Sequence, residues 1–303
     1  HNPYDRCVFN RVLDNGDIET LATDVDDVLA QAPTDAHIDK LIEELQNHIA
    51  NLAVHKGKVL PYLGMMFDFR TDGMVEISQY KYVEDIVKES GVTGQVATPA
   101  TDNLFKTQDK SKAEVLTTSQ KEQFHAGVAK LLYLGKRTRP DILTAVSYLT
   151  TRVQDPNRDD WIKMMRVFKY LRGTLNRCLK IRFNDPIEII IYVDASYGVH
   201  GDMKSHSGIA ITLGGGAVYA KSSKQKLNTK SSTESELVTT SEGAGPGIWS
   251  LNFLREQGED IGPIKFREDN MSVLALLKNG APNSDRTRHI EIRYFFVADL
   301  IKR

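Results

Sequence analysis

The chain is poor in cysteine: its 303 residues carry only Cys7 and Cys178. Two thiols so far apart make neither a disulfide framework nor a C-x-x-C metal knuckle, and the expectation is a reducing, intracellular setting. No run approaches the roughly eighteen apolar residues of a membrane span, so no membrane partner is expected. An excess of one charge sign is missing too. Lys and Arg total 39 against 40 Asp and Glu, a formal net charge of -1. That removes bulk basicity as an argument for nucleic-acid binding and leaves only local patches. There is no internal repeat, no low-complexity tract and no signal-peptide pattern, and the first residue is His1 rather than Met; the chain reads as a piece of something longer. What is present is ordinary for a globular protein, with 41% hydrophobic and 26% charged residues at a length of about two domains.

Hydrophobic periodicity divides the chain. Arg6 to Val12 reads as a strand, Asn15-Gly16 as a turn and Ile18 to Val25 as the return strand. Asp26-Asp27 follows, between short apolar runs, and belongs at a tight turn because neither carboxylate can be buried unpaired. Ile38, Leu41, Ile42, Leu45, Ile49 and Leu52 recur at helical spacing behind the cap candidates Thr34 and Asp35. A second hairpin is predicted over 59–78, turning at Thr71-Asp72-Gly73, then a helix from Tyr80 stopped by Gly91. Residues 92–118 are polar and threonine-rich and read as a linker. Helices are expected over 121–136, 142–152 and 158–171. From Leu179 the pattern turns to strands, with Gly214-Gly215-Gly216 linking two of them, then a helix from Ser232, a short strand at 264–267 and helices over 271–278 and 289–302. The expected class is α+β.

Three groups of residues could carry chemistry. Asp26 and Asp27 at a hairpin turn can hold divalent cations, or be a solvated turn. Asp194 ends a strongly β run, Glu236 lies in the helix opened by Ser231-Ser232-Thr233-Glu234, and Asp269 precedes another helix. Acids at the ends of different elements can converge to hold two metal ions for phosphodiester hydrolysis, or remain surface acids. The third group is a cationic stripe. Lys163, Arg166, Lys169 and Arg172 belong to a stretch, 161–183, that contains no Asp or Glu, and Lys224 and Lys226 extend a smaller patch before the Glu236 helix. These could track a phosphate backbone or form a solvated face. His289 reads as structural.

The residues add up to a known pattern. Tyr192-Val193-Asp194-Ala195-Ser196-Tyr197, Lys204-Ser205-His206-Ser207-Gly208, Lys230-Ser231-Ser232-Thr233-Glu234-Ser235-Glu236-Leu237, Glu268-Asp269-Asn270-Met271-Ser272 and Arg286-Thr287-Arg288-His289-Ile290-Glu291 stand in the order found in copia-type retrotransposon polyproteins. The C-terminal third resembles their RNase H domain. Upstream, Val25-Asp26-Asp27-Val28-Leu29, Tyr62-Leu63-Gly64 and Arg137-Thr138-Arg139-Pro140-Asp141 resemble the later part of their reverse transcriptase.

The resemblance implies a division into a partial polymerase palm with a primer-grip-like hairpin (1–91), a linker (92–118), a helical thumb or connection (119–183) and an RNase H-like mixed sheet with helices (184–303). It implies that Asp26 and Asp27 are the palm's metal-binding pair. It implies that Asp194, Glu236 and Asp269 are three nuclease carboxylates holding two Mg²⁺ (Mn²⁺ as a substitute). Glu236 is preferred to Glu234 because it precedes Leu237. The implied partners are an RNA–DNA hybrid, template–primer and the rest of the Pol polyprotein, in the cytoplasm, inside a virus-like particle, or in the nucleus. Departures from the pattern are expected to matter. Both ends look truncated, so polymerase activity by the chain alone is not expected and nuclease activity is expected to be weak or absent. Asp24 stands where the family usually has an aromatic residue or histidine. Pro246 within Gly243-Ala244-Gly245-Pro246-Gly247 is expected to shorten or kink the Glu236 helix. The alternative is a non-catalytic template–primer-binding remnant of a decayed element.

Overall fold

The computed structural model describes residues 1–71, 73–108, 114–279 and 296–300; the Asp72 turn position, His289 and the motif around it lie outside them. The fold is α+β, and no helix among the described residues is long and apolar enough to cross a membrane. Strands β1 (Val8–Val12), β2 (Ile18–Asp24) and β3 (Asp27–Gln31) form an antiparallel meander. Helix α1 (Asp35–Gln46) follows, capped by the Thr34 hydroxyl, which accepts from the His37 N–H, and buries Leu41. Strands β4 (Val59–Tyr62), β5 (Met65–Asp68) and β6 (Met74–Ser78) make the second antiparallel set, and α2 (Tyr80–Ser90) ends at Gly91 with φ +65°.

The helical unit consists of α2, α3 (Thr118–Arg137), a 3₁₀ turn (Pro140–Ile142), α4 (Leu143–Thr150) and α5 (Arg158–Gly173). Reciprocal capping boxes start α3 (Thr117 with Gln120) and α5 (Asn157 with Asp160). Phe124, Leu131, Leu134, Val146, Leu149, Val167 and Leu171 are all fully buried in its core. The stretch expected to be a linker is part of that core. Val92 and Leu104 are buried in it and Phe105 packs against it, because these scattered apolar residues cover the open flank of α5. Arg139 is buried and makes four hydrogen bonds: it donates to both oxygens of Asp141 at 2.9 Å and to the Thr174 carbonyl and hydroxyl at 3.0 and 2.7 Å. It ties the α3–α4 turn to the end of α5.

Strand β7 (Leu179–Phe183) pairs antiparallel with β6, extending the sheet that holds β5 and β4. Lys180 meets Glu76 at 2.7 Å across this pair, and Ile77 and Ile181 are buried. The triglycine expected as a plain hairpin link also contributes: β10 (Gly214–Gly215) pairs with β7. Gly216 has φ +84°, and a Cβ there would overlap the Lys180 carbonyl, so only glycine allows this approach.

The last sheet holds β8 (Ile190–Ser196), β9 (His206–Thr212), β11 (Ala217–Lys224) and β12 (Lys265–Arg267), in the order β11-β9-β8-β12. The first three are antiparallel neighbours and β12 runs parallel to β8. Helix α6 (Ser232–Glu256) crosses over between β11 and β12, and α7 (Met271–Asn279) follows. Helix α6 is not shortened at the expected place: one 25-residue helix runs through Pro246. Tertiary packing overrides propensity here. A Cβ on Gly243 would lie 3.2 Å from Val193 and 3.3 Å from Ile191, and one on Gly247 would overlap Ile191 Cδ1, so these glycines let the helix seat directly on the sheet.

Polar contacts join the units. The Trp249 indole N–H donates to the Tyr4 carbonyl at 3.0 Å, and Asn2 Nδ2 donates to the Phe253 carbonyl at 3.2 Å, docking the N-terminal sheet on α6. His200 Nε2 lies 3.0 Å from His206 Nδ1, and His206 Nε2 lies 2.7 Å from Ser222 Oγ. This pair sits between the last sheet and Phe105 and Tyr148 of the helical unit. Burial pushes both imidazoles down to about 4, so the joint is neutral.

Gly247→Val is expected to lower stability by about 1–3 kcal/mol through overpacking against Ile191. Gly245→Ala, at an open position, is expected to raise it by up to about 1 kcal/mol. Urea unfolding of both variants checks the pair; equal effects of one sign would contradict a glycine seat.

Candidate metal centre

Three oxygen donors converge at the C-terminal end of β8. One carboxylate oxygen from each of Asp194, Glu236 and Asp269 lies within 4.8 Å of the others. The register explains two of them. Tyr192 and Arg267 are partners in the parallel β8–β12 pair, so Asp194 and Asp269, each two residues further on, emerge level with each other. The helix seat explains the third. Gly247 lies over Ile191 and Gly243 over Val193, so α6 runs toward the end of β8 as it is followed back to its N-terminus. Glu236 is seven residues before Gly243, about 10 Å at 1.5 Å per residue. That brings its carboxylate toward the Ala195 N–H, which favours its charged form.

The start of α6 is held by a buried polar network. The Gln225 amide donates to Ser207 Oγ at 3.0 Å, to the Ser235 carbonyl at 2.9 Å and to Thr239 Oγ1 at 3.2 Å. Ser207 and Thr239 hydroxyls meet at 2.8 Å. Ser231 caps the helix by accepting from the Glu234 N–H, while the Glu234 carboxylate accepts from the Lys230 N–H at 2.6 Å. Glu234 is thus used in capping, and Glu236 is the member of the motif that reaches the centre.

Electrostatics mark the centre as strained without a cation. Asp194 and Asp269 are exposed, but Glu236 is buried, and its Oε2 has no hydrogen-bond partner. Burial, with further pressure from Glu268, Asp194 and Asp269, pushes its pKa up to about 7 against the opposing Ala195 N–H. Glu268 is a fourth acid, part of the same sequence motif as Asp269 but given no role by it. It accepts from Thr240 Oγ1 at 3.0 Å and from the Asn270 N–H at 2.9 Å. Burial raises its pKa, and Asp269 and Asp194 add to the rise. An all-oxygen donor set with an orphaned buried carboxylate oxygen fits a hard divalent cation such as Mg²⁺ or Mn²⁺.

Comparisons with known proteins point to polyproteins of the same kind. No protein-family profile matches the chain. The retrovirus-related Pol polyprotein from transposon TNT 1-94 of Nicotiana tabacum is 29% identical over 303 residues, which is 98% of this chain and 22% of that protein. The corresponding polyproteins from the Arabidopsis thaliana transposons RE1 and RE2 are 26% and 29% identical over 92% and 64% of the chain. The chain is a homologue of retrovirus-related Pol polyproteins. This is what a copia-type Pol segment should show. It spans 22%, 19% and 14% of the length of these curated relatives.

The other expected site residues fall elsewhere in this Pol homologue. Asp26 and Asp27 lie at the β2–β3 turn, both exposed, and among the described residues no group of three metal-ligating side chains includes them. Tyr62 of the second hairpin stands close by; burial raises its phenol pKa, with Asp24 and Asp27 adding to the rise. Three of the four cations of the α5 stripe are engaged within the protein, with Arg172 exposed and the others half-buried. Lys163 donates to the Lys106 carbonyl at 2.6 Å and pairs with Asp159 at 2.7 Å. Arg166 donates to Thr98 Oγ1 and Arg172 to the Val92 carbonyl, each at 3.0 Å. The folded 92–108 stretch uses these cations as its anchors. Lys169 is half-buried, Lys224 pairs with Asp202 at 2.7 Å, and Lys226 is exposed.

Glu236 keeps its proton to about pH 7 when folded, against an ordinary value of 4.5. The metal-free fold therefore gains a proton relative to the unfolded chain between these values. Its contribution to stability is full below about 4.5 and is lost as pH rises through about 7. Glu236→Gln is expected to flatten that loss and to be more stable than the parent at pH 8 by about 1–2 kcal/mol in chelator. Denaturant unfolding at pH 5 and pH 8 measures it; an unchanged pH slope in the variant would show that Glu236 is not the strained acid.

Proposed function

We propose that the carboxylate centre is a nuclease centre, which cleaves the RNA strand of an RNA–DNA hybrid with two divalent cations, within a copia-type reverse transcriptase polyprotein. The convergence of Asp194, Glu236 and Asp269 from a strand, a helix and a loop carries this reading. The sheet order β11-β9-β8-β12, with a helical crossover into a parallel β12, supports an RNase H-like unit. The Pol homology supports nucleic acid as the substrate.

Asp194 and Asp269 stand on the exposed side, where a phosphodiester can reach them, and Glu236 closes the buried side. Divalent ions bound there supply an activated water and neutralise charge on the phosphate. The chain's own part is to hold three oxygen donors at the end of a rigid sheet. The Glu268 carboxylate fixes the loop that carries Asp269 by accepting the Asn270 N–H. Asn270 Oδ1 in turn accepts from Ser272 and Val273 at the start of α7. On the same reading, residues 1–91 descend from a polymerase palm with Asp26 and Asp27 as its acidic turn, and residues 119–183 from its thumb or connection.

The test is cleavage of a strand-labelled RNA–DNA hybrid in Mg²⁺, run beside thermal unfolding with and without Mg²⁺. Expected are a Mg²⁺-induced rise in unfolding temperature and at most weak Mg²⁺-dependent cuts, confined to the RNA strand. Asp194→Asn should abolish the cuts and most of the temperature rise. Hybrid binding with no Mg²⁺ effect on cleavage or stability would overturn the nuclease reading in favour of a binding remnant.

A further inference from the structure

Strand pairing fixes only one of the three converging acids. Asp194 lies within β8 and is paired with Gly208 of β9. Asp269 lies two residues beyond Arg267, the last residue of β12 paired with β8, and Glu236 comes from the first turns of α6. No ladder sets the separation of Glu236 from Asp269. Two other side chains connect them. The hydroxyl of Thr240, buried one helical turn after Glu236, is directed at the Glu236 carbonyl and at a Glu268 carboxylate oxygen, each at 3.0 Å. Its single proton is shared between the two acceptors. The other Glu268 oxygen accepts from the Asn270 N–H at 2.9 Å. A continuous path of hydrogen bonds thus runs from the residue after Asp269, through Glu268 and Thr240, to the backbone of Glu236.

The centre needs such a connection. Three carboxylates with oxygens within 4.8 Å of one another repel when charged, and Asp269 is exposed. An exposed acid on a loop relieves that repulsion by turning outward. Ordering it again when a cation binds costs free energy that a preformed geometry avoids. Glu268 is half-buried, has both oxygens engaged and is not one of the three close donors. Its part is therefore to hold a ligand rather than to be one.

We propose that Glu268 and Thr240 are positioning residues of the carboxylate centre, whose hydrogen bond ties the loop of Asp269 to the helical turn of Glu236 and holds both acids at metal-binding separation before the cation arrives. The inference rests on the reading of the centre as a divalent-cation site. Glu268 also places a further negative charge beside the centre. Thr240→Val changes no charge and hardly any volume, so it isolates the bond from the charge.

The experiment follows thermal unfolding of the full chain over a series of Mg²⁺ concentrations, which yields a Mg²⁺ dissociation constant for each variant. Thr240→Val is expected to weaken Mg²⁺ about tenfold, the lower end of what loss of an outer-shell partner does to metal sites. Thr240→Ser, which keeps the hydroxyl, should restore the parental value. Glu268→Ala should weaken Mg²⁺ at least as much as Thr240→Val, and adding Thr240→Val to it should bring no further loss, since the two residues share one bond. Val146→Ala, in the core of the helical unit, should lower the unfolding temperature in chelator and leave the Mg²⁺ constant unchanged, which separates positioning from loss of stability. Parental Mg²⁺ affinity in Thr240→Val, or additive losses in the double variant, would overturn the proposal and leave the cation centre standing. Should Thr240→Val not fold, parental affinity in Glu268→Ala would overturn it equally. No Mg²⁺ shift in the parent would remove the cation centre itself, and the proposal with it.

Discussion

The seating of α6 on β8 sets the geometry of everything at the carboxylate centre. A helix normally stands off a sheet by the thickness of its side chains. Here Gly243 and Gly247 remove them, and the branched side chains of Ile191 and Val193 fill the space. Close seating places Glu236 at the end of β8, where burial and three neighbouring acids hold it protonated to about pH 7. The cost is a buried carboxylate oxygen with no partner. A fold that only needed stability would replace it by an apolar group, since an unsatisfied buried polar atom costs about 1–3 kcal/mol. A cation between these acids would remove both the repulsion and the orphan at once.

The rest of the molecule keeps that geometry rigid. Half-buried ion pairs, Arg139 with Asp141 and Arg152 with Asp160, lock the helical unit. The neutral histidine pair and the Ser222–Thr144 contact then hold the last sheet against it. The β6–β7 pairing brings strand residues from either side of the helices into one sheet.

Much of this was legible in the residues, and the failures have physical causes. Capping signals at Thr34, Ser231 and Gly91 and the apolar stripes of α3 and α5 fix helices where expected, because local hydrogen bonding and one buried face decide them. The three acids could be named because they lie in ordered motifs, yet their convergence depends on the parallel register of β8 and β12, which no local pattern encodes. Pro246 misled because propensity knows nothing of the sheet beneath the helix. The 92–108 stretch misled because its few apolar residues lack periodicity, and with it the α5 stripe was read as solvent-facing. Gln225, the buried clamp under α6, has no sequence signal at all; a lone glutamine in a lysine-rich loop looks exposed.

The charge at the end of β8 leads to one direct measurement. A crystal structure of the chain grown with Mn²⁺, using anomalous scattering to locate the metal, should show density bounded by Asp194, Glu236 and Asp269, lost in Asp194→Asn crystals. Metal elsewhere with this site empty, or the three carboxylates turned apart, would contradict the account.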